Sequence, residues 1–250
     1  MGQRSVSFSQ FFQSRHFIEF IEEIVRKVIR RAPPFLLYYD RFFIKNYDFA
    51  TPTICNRRFK SIRTRVAGTA DLPALKRFLE RGEEYTVRFR KGDQVVVAEL
   101  HDEIVGMQWI EVGEEHYEEE HEYHFPLPNG AAWIYDTYVA PTYRGMGVWA
   151  CMMDESVHNL RQRSFHATYC MIQTWNLPSI NCHRHYGYWM RRHVIYIRFM
   201  FFRIYLEKNL DPLAKNDTWQ VKFVFRKLRR YKGTGKLDKV PRNFQQRISR

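Results

Sequence analysis

Cysteine is scarce in this 250-residue chain, and its four copies, Cys55, Cys151, Cys170 and Cys182, show neither a C-x-x-C pair nor zinc-type spacing. Neither a disulfide framework nor a structural metal is therefore expected, and a reducing, cytoplasmic setting is the simplest reading. Long apolar runs are missing too. The longest, Val194 to Leu206, holds Arg198 and Arg203 and falls short of the roughly 20 residues a membrane helix needs. It reads as one or two core strands. Between Phe11 and Phe20 the residues Gln13, Ser14, Arg15, His16 and Glu19 interrupt what a signal peptide would keep apolar. Met1-Gly2 does not open a myristoylation pattern, because position 6 is Val rather than Ser or Thr.

Acidic residues are almost absent from the C-terminal end. Residues 222–250 hold eleven Lys and Arg against Asp238 alone, residues 1–60 hold eleven against five, and the stretch between carries −3 of a total of +13. Basicity belongs to the flanks. Flanks of this kind are drawn to anionic surfaces, so a peripheral contact with a membrane or with nucleic acid is expected through them. The N-terminal flank has a pattern beyond its charge: Phe17, Ile18, Ile21, Ile24, Val25, Val28 and Ile29 recur at helical spacing, and Arg and Glu fill the other face. This predicts an amphipathic helix ending at Pro33-Pro34, whose stripe packs on the rest of the chain, on a second copy in a homodimer, or at a membrane interface. An aromatic-rich segment, Phe35 to Ile44, follows it.

Hydrophobic residues at 45% and aromatics at 16% supply ample core material. Ser61 to Val66 reads as a strand, and Asp71 and Pro73 open a helix as N-cap and first-turn proline. Asp93 to Leu100 and Ile104 to Glu111 form a hairpin around His101-Asp102-Glu103. A strand from Trp133 to Val139 then passes through Pro141 into the loop Arg144-Gly145-Met146-Gly147 and a helix from about Val148 to Arg163. That order brings backbone N–H groups and a helix N-terminus to one place, where a pyrophosphate can sit. Arg144 adds a fixed cation, and Gly145 and Gly147 let the main chain approach the phosphates without a Cβ between.

A second signal follows at a distance: Asn176-Leu-Pro-Ser179, then His183, then Gly187-Tyr188. Together the two signals resemble the acyl-CoA site of the GNAT superfamily of N-acyltransferases. The family's Arg/Gln-x-x-Gly-x-Gly/Ala is met at Arg144 and Gly147, while its last position is Trp149 here. In the family an Asn at a strand end is followed by Ala or Ser three residues on, Tyr seven on and Gly-Phe eleven and twelve on. This chain has Asn176, Ser179, His183, Gly187 and Tyr188 there. The resemblance covers roughly Ser61 to Leu206. It implies an α/β (α+β) fold, a mixed and mostly antiparallel sheet flanked by helices. It also divides the chain into an N-terminal extension over 1–60, an acyltransferase domain over 61–206 and an extra strand with a basic tail over 207–250.

The same resemblance implies acetyl-CoA, or another acyl-CoA, as co-substrate and a small-molecule or protein amine as acceptor. Two adjoining strands splay, and the pantetheine arm pairs with backbone around Thr137 to Val139. Arg144, Gly145, Met146, Gly147, Val148 and Trp149 hold the phosphates, and Asn176 and Ser179 also bind the cofactor. Asp136 stands where relatives often carry a carboxylate and is expected to take the amine's proton. His183 replaces a Tyr that protonates the departing thiolate, and an imidazole or the nearby Tyr186 could do that work. Trp149 and His183 are the departures that would fit an inactive, GNAT-shaped binding module tethered by its flanks. The acidic run Glu114 to His124 shows no ligand spacing and reads as a solvated strand extension or an acidic lip for a cationic amine.

Overall fold

In the computed structural model, described residues are 37–51, 61–79, 82–211 and 218–225, together with Glu23 and Ile24, which are helical. The rest of the expected N-terminal helix and the basic tail beyond 225 lie outside them. Eleven strands are numbered in chain order: β1 Leu37–Asp48, β2 Arg63–Ala67, β3 Gln94–Leu100, β4 Glu103–Val112, β5 Glu115–Glu118, β6 Tyr123–Pro126, β7 Ala131–Val139, β8 Ala167–Gln173, β9 Trp189–Phe199, β10 Phe202–Asn209 and β11 Trp219–Phe225. The helices are α1 Leu72–Phe78, α2 Gly82–Lys91, α3 Val148–Gln162 and α4 Leu177–Tyr186. Nine strands make one sheet in the order β11-β10-β9-β1-β8-β7-β4-β3-β2, and β5 pairs with β6 apart from it. Every neighbouring pair is antiparallel except β7 with β8.

The sequence of β3, Gln-Val-Val-Val-Ala-Glu-Leu, shows why both faces of the sheet must be covered. Successive side chains point to opposite faces. Val96 and Ala98 pack with Val148, Met152 and Val157 of α3, while Val95 and Val97 join Leu75 of α1 and Tyr85 of α2 on the other side. The β5–β6 hairpin covers more of the sheet through Tyr123 and Phe125, which pack on Phe42, Trp133 and Tyr196. The acidic run thus forms a lid over the core. Its turn brings ligand atoms of Glu118, Glu120 and His121 within 4.8 Å of one another, a convergence the sequence does not show. Two of these already have partners on β1: Tyr38 donates to Glu120 at 2.9 Å, and His121 Nε2 lies 2.9 Å from Asp40.

Strand β1 departs from the expected division. Residues 1–60 read as an extension, yet Leu37–Asp48 lies in the middle of the sheet, paired with β8 on one side and β9 on the other. Phe42, Ile44, Lys45 and Tyr47 are fully buried. The aromatic richness of this segment is the signature of a central strand. The run from Val194 to Leu206 is two strands, β9 and β10, as expected. Asp71 stands at the N-cap of α1, but its carboxylate accepts from the Gly68 N–H and pairs with Arg65 instead of capping that helix.

Candidate functional site

Strands β7 and β8 pair only over Ala131↔Ala167, Ala132↔Thr168 and Trp133↔Tyr169. Beyond that the two part, although β7 continues to Val139 and β8 to Gln173. A cleft of about 780 Å³ opens there, lined by Thr137 and Val139 of β7, by Arg144 to Ala150 apart from Met146, and by one face of α4. Parting strands leave backbone N–H and C=O groups on the inner edge of β7 without a sheet partner, a condition a bound chain can relieve.

The mouth of the cleft is the N-terminus of α3. Pro141–Tyr143 makes a single 3₁₀ turn, and Gly145 and Gly147 both have φ of 77°, the left-handed region that favours glycine. Gly147 is the N-cap, no side chain caps the helix, and its first turn holds no acidic residue. The leading N–H groups of a helix have no intrahelical acceptor, so this end presents donors and a positive dipole to the cleft. A Cβ at Gly145 would meet nothing within 4 Å. Arg144 is held at the rim, its Nε donating to the Val139 carbonyl at 3.1 Å and its guanidinium lying over the Tyr138 ring. These groups suit a pyrophosphate.

What sets the helix so close to the sheet is Gly106, which carried no signal in the sequence. It lies opposite Val139 on β4, and a Cβ there would stand 3.0 Å from Val148 Cγ1 and 3.2 Å from Met152. Thr137 is likewise anchored from below. Its hydroxyl donates to Gln108 Oε1 at 3.2 Å, and Gln108 Nε2 donates to Ser156 on α3 at 2.9 Å. This polar chain, buried at Gln108 and Ser156, ties cleft wall to helix.

The other wall is α4. Asn176 is its N-cap and accepts from the Ser179 N–H at 3.2 Å, so part of the Asn-x-x-Ser pattern is a helix cap. Gly187, with φ of 105°, ends the helix. Pro178, Asn181, Cys182 and His185 also line the cleft and were not singled out from the sequence. Their spacing from Ser179, His183 and Tyr186 follows one helical face, and that periodicity is the signal that would have found them. Lys45 of β1 is fully buried beneath this wall and donates to the Ile180 carbonyl at 3.2 Å.

The residues expected to move protons are not equivalent. His183 is buried between Trp149 and Tyr188, with ring centroids 4.5 and 4.9 Å away, and its Nδ1 lies 2.8 Å from the Ser179 carbonyl. Loss of water pushes its pKa down to about 3, and the nearby Lys45 charge acts in the same direction. The ring is therefore neutral near pH 7, with its one proton directed at Ser179. That arrangement argues against an acid at His183. Tyr186 lines the cleft and donates to Asp154 at 2.8 Å; burial first, and then Asp154, push its pKa up. Asp136 is absent from the cleft lining. It sits at a β-bulge with φ of 43°, and its carboxylate accepts from Arg88 at 2.6 Å. Arg88 lies over the rings of Trp109 and Tyr135 at 5.0 and 4.8 Å and also pairs with Glu84. Of the expected site residues, the cleft thus gathers Thr137, Val139, Arg144, Gly145, Gly147, Val148, Trp149, Asn176, Ser179, His183 and Tyr186. Met146 packs into the core beside α3, and Asp136 faces Arg88.

Residues 65–188 match the family described as Acetyltransferase (GNAT) family. Among solved structures, the chain is similar to a putative acetyltransferase of the GNAT family from Novosphingobium aromaticivorans, at 16% identity over 66% of this chain and 67% of that one, with a TM-score of 0.44. It is also similar to a ribosomal-protein-alanine N-acetyltransferase from Brucella melitensis, at 26% identity over 50% and 83%, with a TM-score of 0.37. A third is a predicted acetyltransferase with acetyl-CoA from Clostridium acetobutylicum, at 18% identity over 50% and 88%, with a TM-score of 0.36. No curated protein matches the chain.

Proposed function

Through residues 65–188 the chain belongs to the GNAT acetyltransferase family, and from that premise we propose that it transfers an acyl group, acetyl in the first instance, from a CoA thioester to a primary amine by direct attack. The observation that carries this reading is the parting of β7 and β8 beside an uncapped helix N-terminus. The N–H groups at the start of α3, with Arg144, suit the pyrophosphate, while the free edge of β7 from about Thr137 to Val139 suits the amides of the pantetheine arm. Asn176 and Ser179 contribute from the facing wall. A thioester pinned along a rigid strand meets the amine as in an intramolecular reaction, and a β7 N–H is the donor for the tetrahedral oxyanion.

The nitrogen lone pair forms the new C–N bond and the C–S bond breaks. The proton lost by nitrogen reaches the thiolate through water at the mouth of the cleft. His183 serves as an uncharged wall against the CoA arm, and the Tyr186 hydroxyl, which donates to Asp154, can take part only by accepting a hydrogen bond from that water. Asp136 braces the bulge of β7 through Arg88. A cationic acceptor is favoured by the net −3 of residues 61–221 and by the acidic hairpin over β7.

The test pairs calorimetry with CoA and thiol release from acetyl-CoA across polyamines, aminoglycosides and peptides with free N-termini. Transfer to at least one amine class is expected. Tight CoA binding without transfer to any would reduce the chain to a binding module, and failure to bind CoA would remove the reading altogether.

A further inference from the structure

Strand directions place a set of exposed apolar side chains at one end of the sheet. Strands β8 and β9 both run antiparallel to β1, β9 and β11 both run antiparallel to β10, and β7 is parallel to β8. All four therefore finish at the same end, where the acyl cleft opens. Trp175 and Leu177, 69% and 62% exposed, flank Asn176 just past β8. The turn from β9 to β10 is Phe199-Met200-Phe201-Phe202, each residue between 40% and 48% exposed. Phe223 and Val224 stand near the end of β11, at 69% and 38%. Of thirteen exposed large hydrophobics among the described residues, eight lie here, which is not the scatter expected of an ordinary surface.

The β9–β10 turn also projects. Phe42 is level with Gln173 on one side and Val194 on the other, so β9 overruns the end of β8 by five residues, roughly 16 Å at the rise of a strand. With neighbouring strands roughly 5 Å apart, the rim from β8 to β11 spans about 20 Å. Positive charge accompanies it. The sequence that follows β11, residues 226–250, holds ten Lys and Arg against Asp238.

We propose that this rim is a docking surface for an anionic lipid bilayer, with the Phe199–Phe202 turn entering the interface and the positive charge of residues 226–250 favouring anionic headgroups. Aromatic and aliphatic side chains at a projecting turn, followed by dense positive charge, match the two forces that hold a protein at such a surface. Single-stranded nucleic acid also takes aromatics and basic residues, but it requires a groove in which bases stack, and Met200, Leu177 and Val224 offer no stacking face. Docking turns the mouth of the acyl cleft toward the bilayer, so the enzyme would meet acceptors or acyl-CoA held near that surface. It does not depend on which acyl group is transferred.

The full chain should sediment with phosphatidylcholine vesicles containing roughly one-third phosphatidylserine and not with pure phosphatidylcholine, and salt should weaken the binding. The double variant Met200→Asp with Phe201→Asp should lower the vesicle partition coefficient roughly tenfold or more. Val87→Asp, on the exposed face of α2, should leave it unchanged. CoA affinity and melting temperature, measured alongside, confirm that each variant is folded and keep docking separable from the acyl-transfer reading. The proposal is overturned if the parent ignores anionic vesicles, or if the turn variant binds them as the parent does. It also falls if the parent binds oligonucleotides but not vesicles, or if the turn variant merely turns a dimer into a monomer.

Discussion

His183 supplies the most direct check on the burial of the cleft wall. Its pKa is pushed from 6.5 down to about 3 in the folded chain, whereas the unfolded chain keeps the ordinary value. The folded state therefore binds fewer protons than the unfolded one between those limits. Stability from this group is fully present above pH 6.5 and is lost as pH falls through the window toward pH 3. At pH 5 the unfolded imidazole is 1.5 pH units below its own pKa while the folded one is still neutral, a loss of about 2 kcal/mol relative to pH 7. For a chain of this length that lowers the melting temperature by about 4 to 8 °C. His183→Phe keeps a ring between Trp149 and Tyr188 but cannot titrate, so its loss between pH 7 and pH 5 should be smaller by that amount. His193, whose pKa is pushed down to about 4 by burial and by Arg41 and Lys208, remains in the variant and leaves a residual slope of the same sign. Thermal melts of both proteins at pH 7, 6 and 5 measure the difference. Parallel slopes would show that His183 is accessible to solvent protons and would restore it as an acid. The same variant should keep turnover within about tenfold, against the 10² to 10⁴ loss typical of a missing acid.

Gly147→Glu sets a carboxylate at the N-cap of α3 in a left-handed conformation; calorimetry should show CoA affinity abolished, with a cost to folding of about 1 to 2 kcal/mol. Gly106→Val presses branched bulk on Val148 and Met152, and melts should report a loss of about 1 to 3 kcal/mol together with weaker CoA binding as α3 shifts. Arg88→Met removes the guanidinium from Asp136 in a nearly buried site and should cost about 3 kcal/mol, read by denaturant titration. Combining it with Asp136→Asn should recover part of that, which a double-mutant cycle measures directly.

The glycine loop and helix start at the mouth of the cleft were legible in the sequence, because they are local features. Arg144 to Trp149 and the helix after them are contiguous; glycine at 145 and 147 reads as giving close approach to a ligand, and the structure adds that both have φ of 77°, which L side chains resist. Asn176, Pro178 and Gly187 punctuate α4 in the same local way. The proton chemistry was not legible, since it depends on what surrounds a side chain. The sequence displays His183 as an imidazole of ordinary basicity, and only the packing of Trp149, Tyr188 and Lys45 around it removes the water that its charged form needs. Asp136 failed to enter the cleft for a related reason: a bulge in β7 turns it toward Arg88, forty-eight residues earlier in the chain.

Composition alone settled that the chain buries a substantial core, and the unbroken apolar run Val95 to Ala98 on β3 requires cover on both faces of that sheet. The place of Leu37–Asp48 was beyond its reach. Period-2 patterning tells which residues share a face but not which strand lies alongside. The aromatic segment could have been an extension until pairing with β8 and β9 placed it at the centre. Pairing also gathered Trp175, Phe201 and Phe223 at one end of the sheet. Their separations in sequence are large, and only the shared direction of β8, β9 and β11 makes neighbours of them.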